Sequence, residues 1–172
     1  TWSRGLGDVY KRQAIVKHGN PCGVSALKNN LDSYKSALES DPISAFGGII
    51  SCNYKITQKL ALILNKIFLE VIVANGFEKK ALKILKSKKN LRLIDSSKIT
   101  FNEIWKFNSV DNFTLIQSED RKIFSKKDFR IVSKKKPNKS QLDNLMFAFN
   151  VCRYAKSNAI VLASNNSTVG IG

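Results

Sequence analysis

An α/β domain is what this sequence predicts, on three observations. Short apolar runs of four to six residues recur along the chain, among them AIVK at 14–17, EVIVA at 70–74 and LRLID at 91–95. Between them lie segments whose apolar residues repeat at helical spacing. The 43% hydrophobic fraction of the 172 residues is enough for a packed core, and strands alternating with helices indicate a sheet covered by helices.

Residues 1–13 (TWSRGLGDVYKRQ) show no clear period, and an apolar strand starts abruptly at Ala14. They read as a foreign leader, set apart from a domain over 14–172. AIVK is a short buried strand. Residues 30–40 place Leu31, Tyr34, Ala37 and Leu38 on one helical face, and FGGIIS at 46–51 returns to a strand. Thr57 can cap a helix through 58–68, whose stripe is Leu60, Ile63, Leu64, Ile67 and Phe68. A strand at 70–74, a helix over 77–88 and a strand at 91–95 follow.

The stretch 96–128 is less regular, with EIWKF (103–107) and FTLIQ (113–117) as strands of an insertion or edge hairpin. FRIVS at 129–133 predicts a further strand. After Pro137 comes the longest helical candidate, 138–157, with Leu142, Leu145, Met146, Phe149 and Cys152 on one side. NAIVLA, the turn SNNS and TVGIG then predict a β-hairpin over 158–172.

Composition excludes several classes. LALIL at 60–64 is far too short to span a bilayer, and the N-terminus lacks a secretory signal, so no membrane role is expected. Cys22, Cys52 and Cys152 are odd in number, with no CxxC spacing, as for reduced thiols of a cytoplasmic protein. The formal charge of +16 suggests polyanions, but basic stretches such as KSKK (86–89) and SKKK (133–136) lack interleaved aromatics, and lysine dominates over arginine. A solvated Lys-rich surface accounts for the charge, and nucleic acid is not the expected partner.

The chemistry concentrates at AIVKHGNPCGVS, residues 14–25, where the single histidine follows a lysine at the end of a strand. A zinc-deaminase site needs H-x-E and P-C-x-x-C. Here Gly19 and Asn20 follow His18, and Ser25 stands where a second cysteine is required, so no zinc is expected. An acid–base pair is possible only where the strand ends, because neighbours within a strand face opposite ways. Histidine titrates near neutrality and suits general-base duty, while an ammonium can stabilise charge on a carbonyl oxygen. Ligands of open α/β sheets gather at the carboxyl edge of the strands, where this pair is expected. The plain alternative is that His18 only bonds the loop while Lys17 extends to solvent. Residue chemistry leaves both open.

KHGNPCG (17–23) resembles the K-H-x-N-P-C-G motif of the AICAR transformylase domain of the bifunctional purine biosynthesis enzyme, whose other half is an IMP cyclohydrolase. SDPISAFGGII (40–50), LEVIVA (69–74) and KSNAIVLASNNSTVGIG (156–172) resemble further blocks of that family in the same order. The resemblance implies a cytidine-deaminase-like three-layer α/β/α mixed sheet, present incompletely, that works without zinc. It implies formyl transfer from the co-substrate 10-formyltetrahydrofolate to the 5-amino group of AICAR, giving FAICAR, by a cytoplasmic homodimer.

By the same resemblance, Lys17 and His18 match the catalytic pair, and Asn158 matches an asparagine that contacts substrates and assists transfer. Gly47 falls on a glycine whose backbone lies against AICAR. Glu70 falls on an acidic AICAR-binding position where some relatives carry aspartate. Each has a bland counterpart: Asn158 as a turn residue, Gly47 as a strand start or bulge, Glu70 as a solvated helix end. The family's cyclohydrolase half, its Arg-Tyr substrate contact and its A-G-Q-x-S-R block have no counterpart in the 172 residues. The chain therefore reads as the N-terminal part of a transformylase domain, expected to be inactive alone. A Lys-rich α/β module that binds a nucleotide or RNA without catalysis is the alternative.

Overall fold

The structure is a computed structural model that describes residues 11–100, 105–118, 122 and 124–172. Strand β1 (Lys11–Lys17) and strand β2 (Asn20–Leu27) form an antiparallel hairpin. Helix α1 (Asn30–Ser40) follows, capped by Asn29, whose side-chain oxygen accepts the Leu31 N–H at 2.8 Å. Strand β3 (Gly48–Cys52), helix α2 (Gln58–Leu64), strand β4 (Leu69–Ala74), helix α3 (Lys79–Leu85) and strand β5 (Arg92–Asp95) make two parallel crossovers. Thr57 caps α2 as expected, its hydroxyl accepting the Leu60 N–H at 3.3 Å.

Strands β6 (Trp105–Val110) and β7 (Phe113–Ser118) form a separate, fully exposed hairpin. The hairpin expected in this stretch is thus present; residues 103 and 104 of its first strand lie outside the described residues. Helix α4 (Lys139–Cys152) starts in a capping box of Asn138 and Gln141. Strands β8 (Val161–Ser164) and β9 (Ser167–Ile171) close the described chain. Asn165 and Asn166 both have positive φ between them, the signature of a type I′ hairpin turn.

Among the described residues, seven strands form one mixed sheet in the order β5-β4-β3-β1-β2-β9-β8. Neighbouring residues of β1 point into different cores. Ile15 packs with Ile50, Ile72, α1 and the apolar faces of α2 and α3. Ala14 joins Val24, Ala26 and the α4 residues Phe147 and Val151. Period-2 alternation thus puts α1–α3 on one face of the sheet and α4 on the other.

Four expectations are corrected. Strand β1 begins at Lys11 rather than Ala14, and Arg12 and Gln13 are buried. Their polarity hid the strand, although the Tyr54 hydroxyl donates to the Gln13 side-chain oxygen in the interior. NPCGVSAL, a stretch to which the sequence pattern assigns no element beyond the ending of the first strand, is β2. FRIVS is not a strand: a 3-10 turn at Lys126–Asp128 precedes it, and Phe129 packs edge-on against Phe124 and Phe149. Apolar alternation cannot form a strand without a pairing edge. Helix α4 stops at Cys152, and its buried residues are Phe147, Asn150 and Val151, whereas Leu145 and Phe149 line an open cleft of about 800 Å³ against residues 129–137.

Candidate active site

Lys17 and Gly47 meet beside the turn of the β1–β2 hairpin, and the segments carrying Glu70 and Asn158 are tied to the same end through Phe68 and Lys156. Lys17 is the last residue of β1, and His18 and Gly19 form a two-residue turn with φ of 53° and 74°. Positive φ at both positions matches the right-handed twist of a hairpin, and glycine enters that region without a Cβ penalty. The His18 side chain is exposed at the tip. Pro21 sits in β2 opposite Val16, next to a register shift after Ile15. A bulge accommodates a residue that cannot donate to the ladder.

Lys17 does not extend to solvent. Its ammonium donates to the Phe46 carbonyl at 2.8 Å and to the Gly47 carbonyl at 3.1 Å. Two of the three ammonium N–H bonds are thereby used, and one is left for a ligand. Gly47 itself has φ 66°, and a Cβ there would lie 2.8 Å from Lys17 Nζ and 3.3 Å from the Phe68 ring. The Gly47 N–H donates to the Phe68 carbonyl at 2.9 Å, which ties this corner to the start of β4. Glu70 is two residues further on and exposed.

Asn158 comes from the other side of the sheet. It lies in the segment between α4 and β8, exposed, after a cis Ser157–Asn158 peptide. That segment reaches the hairpin through Lys156, whose N–H donates to Asn20 Oδ1 at 2.8 Å. Lys17 and Gly47 are therefore in direct contact, Glu70 follows the same corner along β4, and Asn158 is tethered to the strand that pairs with Lys17. The anchoring role of Asn20 was missed from sequence, although its place between a turn glycine and a proline marked it as constrained.

The carboxyl-edge expectation is corrected. Lys17 ends β1, but β1 runs antiparallel to β3, so this end abuts the amino ends of the parallel strands β3 and β4. The edge rule applies to strands that all point one way, and this hairpin points against them.

Cys22, in the same bulge, is buried, and desolvation raises its thiol pKa, aided by Asp41 and opposed by Lys17. It packs; it is not poised as a nucleophile. Among the described residues no three of His, Cys, Asp and Glu gather as a metal site. Among the same residues no helix is long and apolar enough to cross a membrane.

Residues 6–172 match the family described as the AICARFT/IMPCHase bienzyme. Curated relatives carry the name bifunctional purine biosynthesis protein PurH. That of Wigglesworthia glossinidia brevipalpis is 45% identical over 159 residues, covering 92% of this chain and 30% of the relative. That of Buchnera aphidicola subsp. Acyrthosiphon pisum is 44% identical over 160 residues, again 92% of this chain and 30% of the relative. That of Thermoanaerobacter sp. is 43% identical over 157 residues, 91% of this chain and 31% of the relative. The chain spans about 30% of the length of the curated relatives it matches.

Proposed function

Because the chain belongs to the AICARFT/IMPCHase bienzyme family, we propose that it carries the catalytic hairpin of a folate-dependent formyltransferase of purine biosynthesis. The substrates are AICAR and 10-formyltetrahydrofolate, and the product is FAICAR. The reading takes the chain as the N-terminal part of a cytidine-deaminase-like transformylase domain, working in the cytoplasm as a homodimer and inactive as an isolated piece.

The AICAR amine is a weak nucleophile, since its lone pair delocalises into the imidazole ring. Its nitrogen attacks the formyl carbon, the carbonyl oxygen becomes an oxyanion, and the bond from carbon to folate N10 then breaks. The proton lost by the amine ends on the departing N10. A base near the amine and donors near the oxyanion are what this sequence of events requires. His18 is suited to take the proton, and Lys17 and Asn158 to stabilise the oxyanion, with Lys17 and His18 acting as a relay. Gly47 and Glu70 contribute to AICAR binding.

The observation that carries this reading is the Lys17 ammonium, fixed by two carbonyls with one N–H to spare beside the His18 turn. A fixed cation in a site that admits substrate stabilises developing charge without reorganising.

The test uses a full-length protein carrying this sequence, supplied with both substrates, and follows FAICAR by chromatography. Lys17→Ala and His18→Ala are each expected to lower kcat at least about 100-fold, with an unchanged thermal melt for the exposed His18 and a lowered but still cooperative one for Lys17, whose two carbonyl bonds are lost. Undiminished turnover in both variants overturns the assignment. Salt-dependent RNA retention that ignores His18, without formyl transfer, would favour the Lys-rich binding module instead.

A further inference from the structure

Asn20 opens β2 directly across the hairpin from Lys17. Its side-chain oxygen accepts the Lys156 N–H across 136 residues of sequence, two positions before Asn158. On the other side of Asn158, Cys152 Sγ donates to the Ala159 carbonyl at 3.4 Å, and Ile160 exchanges backbone hydrogen bonds of 2.6 and 3.0 Å with Gly172. The segment carrying Asn158 is therefore pinned at both ends. The pins after Asn158 come from α4 and the end of β9. The pin before it comes from the strand that carries the catalytic turn.

We infer that Asn20 is a positioning residue, whose carboxamide holds the 156–158 segment in register with the Lys17–His18 turn. The inference rests on the reading of Asn158 as a group that contacts substrate. The reason is geometric. Lys17 ends a two-strand ladder and His18 sits in the tight turn that closes it, whereas Asn158 belongs to a connection without a ladder of its own. Catalysis falls steeply when one of several converging groups shifts by an ångström. An acceptor on β2 couples the two parts, and only a side chain of this length with an oxygen at its end can do so. Asp shares both properties, Ala and Ser do not reach, and Leu has no acceptor.

The experiment measures formyl transfer by the full-length protein carrying this sequence. Asn20→Ala is expected to lower kcat about 10-fold or more, with KM for either substrate within about 3-fold, as for a group acting through transition-state placement. Asn20→Asp is expected to recover kcat to within about 3-fold of the parent. On an Asn158→Ala background, Asn20→Ala should add less than about 2-fold, because the group it places is gone. If the alanine variant does not fold, Asn20→Ser carries the same reading.

Unchanged kcat in Asn20→Ala, no recovery in Asn20→Asp, or a full multiplicative loss on the Asn158→Ala background each overturns the role. If Lys17→Ala, His18→Ala and Asn158→Ala leave formyl transfer intact, the assigned reaction falls. If those three cripple it and Asn20→Ala does not, the positioning role alone falls.

Discussion

Lys17 and Gly47 lock each other in place: the ammonium of one donates to the carbonyl of the other at 3.1 Å, and the missing side chain of the glycine leaves the space that the ammonium occupies. A strand end and a loop corner, 30 residues apart in sequence, become one unit. Neither residue is free to change without moving its partner.

Gly47→Ala tests this coupling. The new Cβ would fall 2.8 Å from Lys17 Nζ at φ 66°, so it meets both a steric conflict and an unfavourable backbone region. The left-handed conformation costs about 1–2 kcal/mol for a residue with a Cβ. Displacing the ammonium is expected to lower kcat for formyl transfer about 100-fold, measured on the full-length protein. A variant with normal kcat would show that the ammonium does not depend on this corner.

Lys17→Arg separates charge from shape. If charge alone mattered, arginine would restore what Lys17→Ala loses. The cradle holds a compact ammonium between the Phe46 and Gly47 carbonyls, and a planar guanidinium with five donors does not fit that geometry. The arginine variant is therefore expected to remain within about 10-fold of the alanine variant in kcat. Recovery to parental turnover would indicate a diffuse electrostatic role.

The sequence showed the helices and parallel strands well because each carries one apolar face and a local signal. Thr57 caps α2, and Leu60 and Leu64 fall on its buried side. The candidate site was legible to the extent that Lys17 ends a strand and His18 follows it in the turn. What stayed hidden depended on partners distant in sequence. Arg12 and Gln13 look like leader residues until their burial is known. Pro21 and Gly23 look like a loop until a bulge and a closely packed helix explain them. FRIVS has strand-like alternation, yet its Phe129 is taken up by an aromatic cluster. The edge on which the site lies followed from β1 running against β3, and pairing direction has no local signature.

Gly23 is a structural prediction within the same motif. A Cβ at Gly23 would stand 1.8 Å from the Ala37 carbonyl oxygen of α1, so the helix must lift from the sheet. Gly23→Ala is expected to cost at least about 1–3 kcal/mol, the range for overpacking, and to lower Tm by about 2–4 °C per kcal/mol. Gly19→Ala is the control: nothing lies within 4 Å of its Cβ, and only φ 74° opposes it. Thermal melts should rank Gly23→Ala as the more damaging. Equal shifts would mean that α1 and β2 are not closely packed.

The final prediction concerns alkaline pH. Burial pushes the Cys52 thiol from 9.0 up to about 12, and desolvation also raises Cys22, Tyr34 and Tyr54. Each group stays protonated in the folded chain at pH values where the unfolded chain releases its proton. The unfolded state then binds fewer protons, so stability falls as pH rises. For Cys52 the contribution is intact below about pH 9 and is lost progressively towards pH 12, with a slope of about 1.4 kcal/mol per pH unit between. Urea midpoints measured from pH 7.5 to 10.5 should hold steady and then decline above 9. Cys52→Ala leaves a small cavity and lowers the whole curve, but it should also flatten the decline, because the group that titrates is gone. A decline of undiminished steepness in that variant would remove Cys52 as its source and leave the tyrosines and Cys22 to account for it.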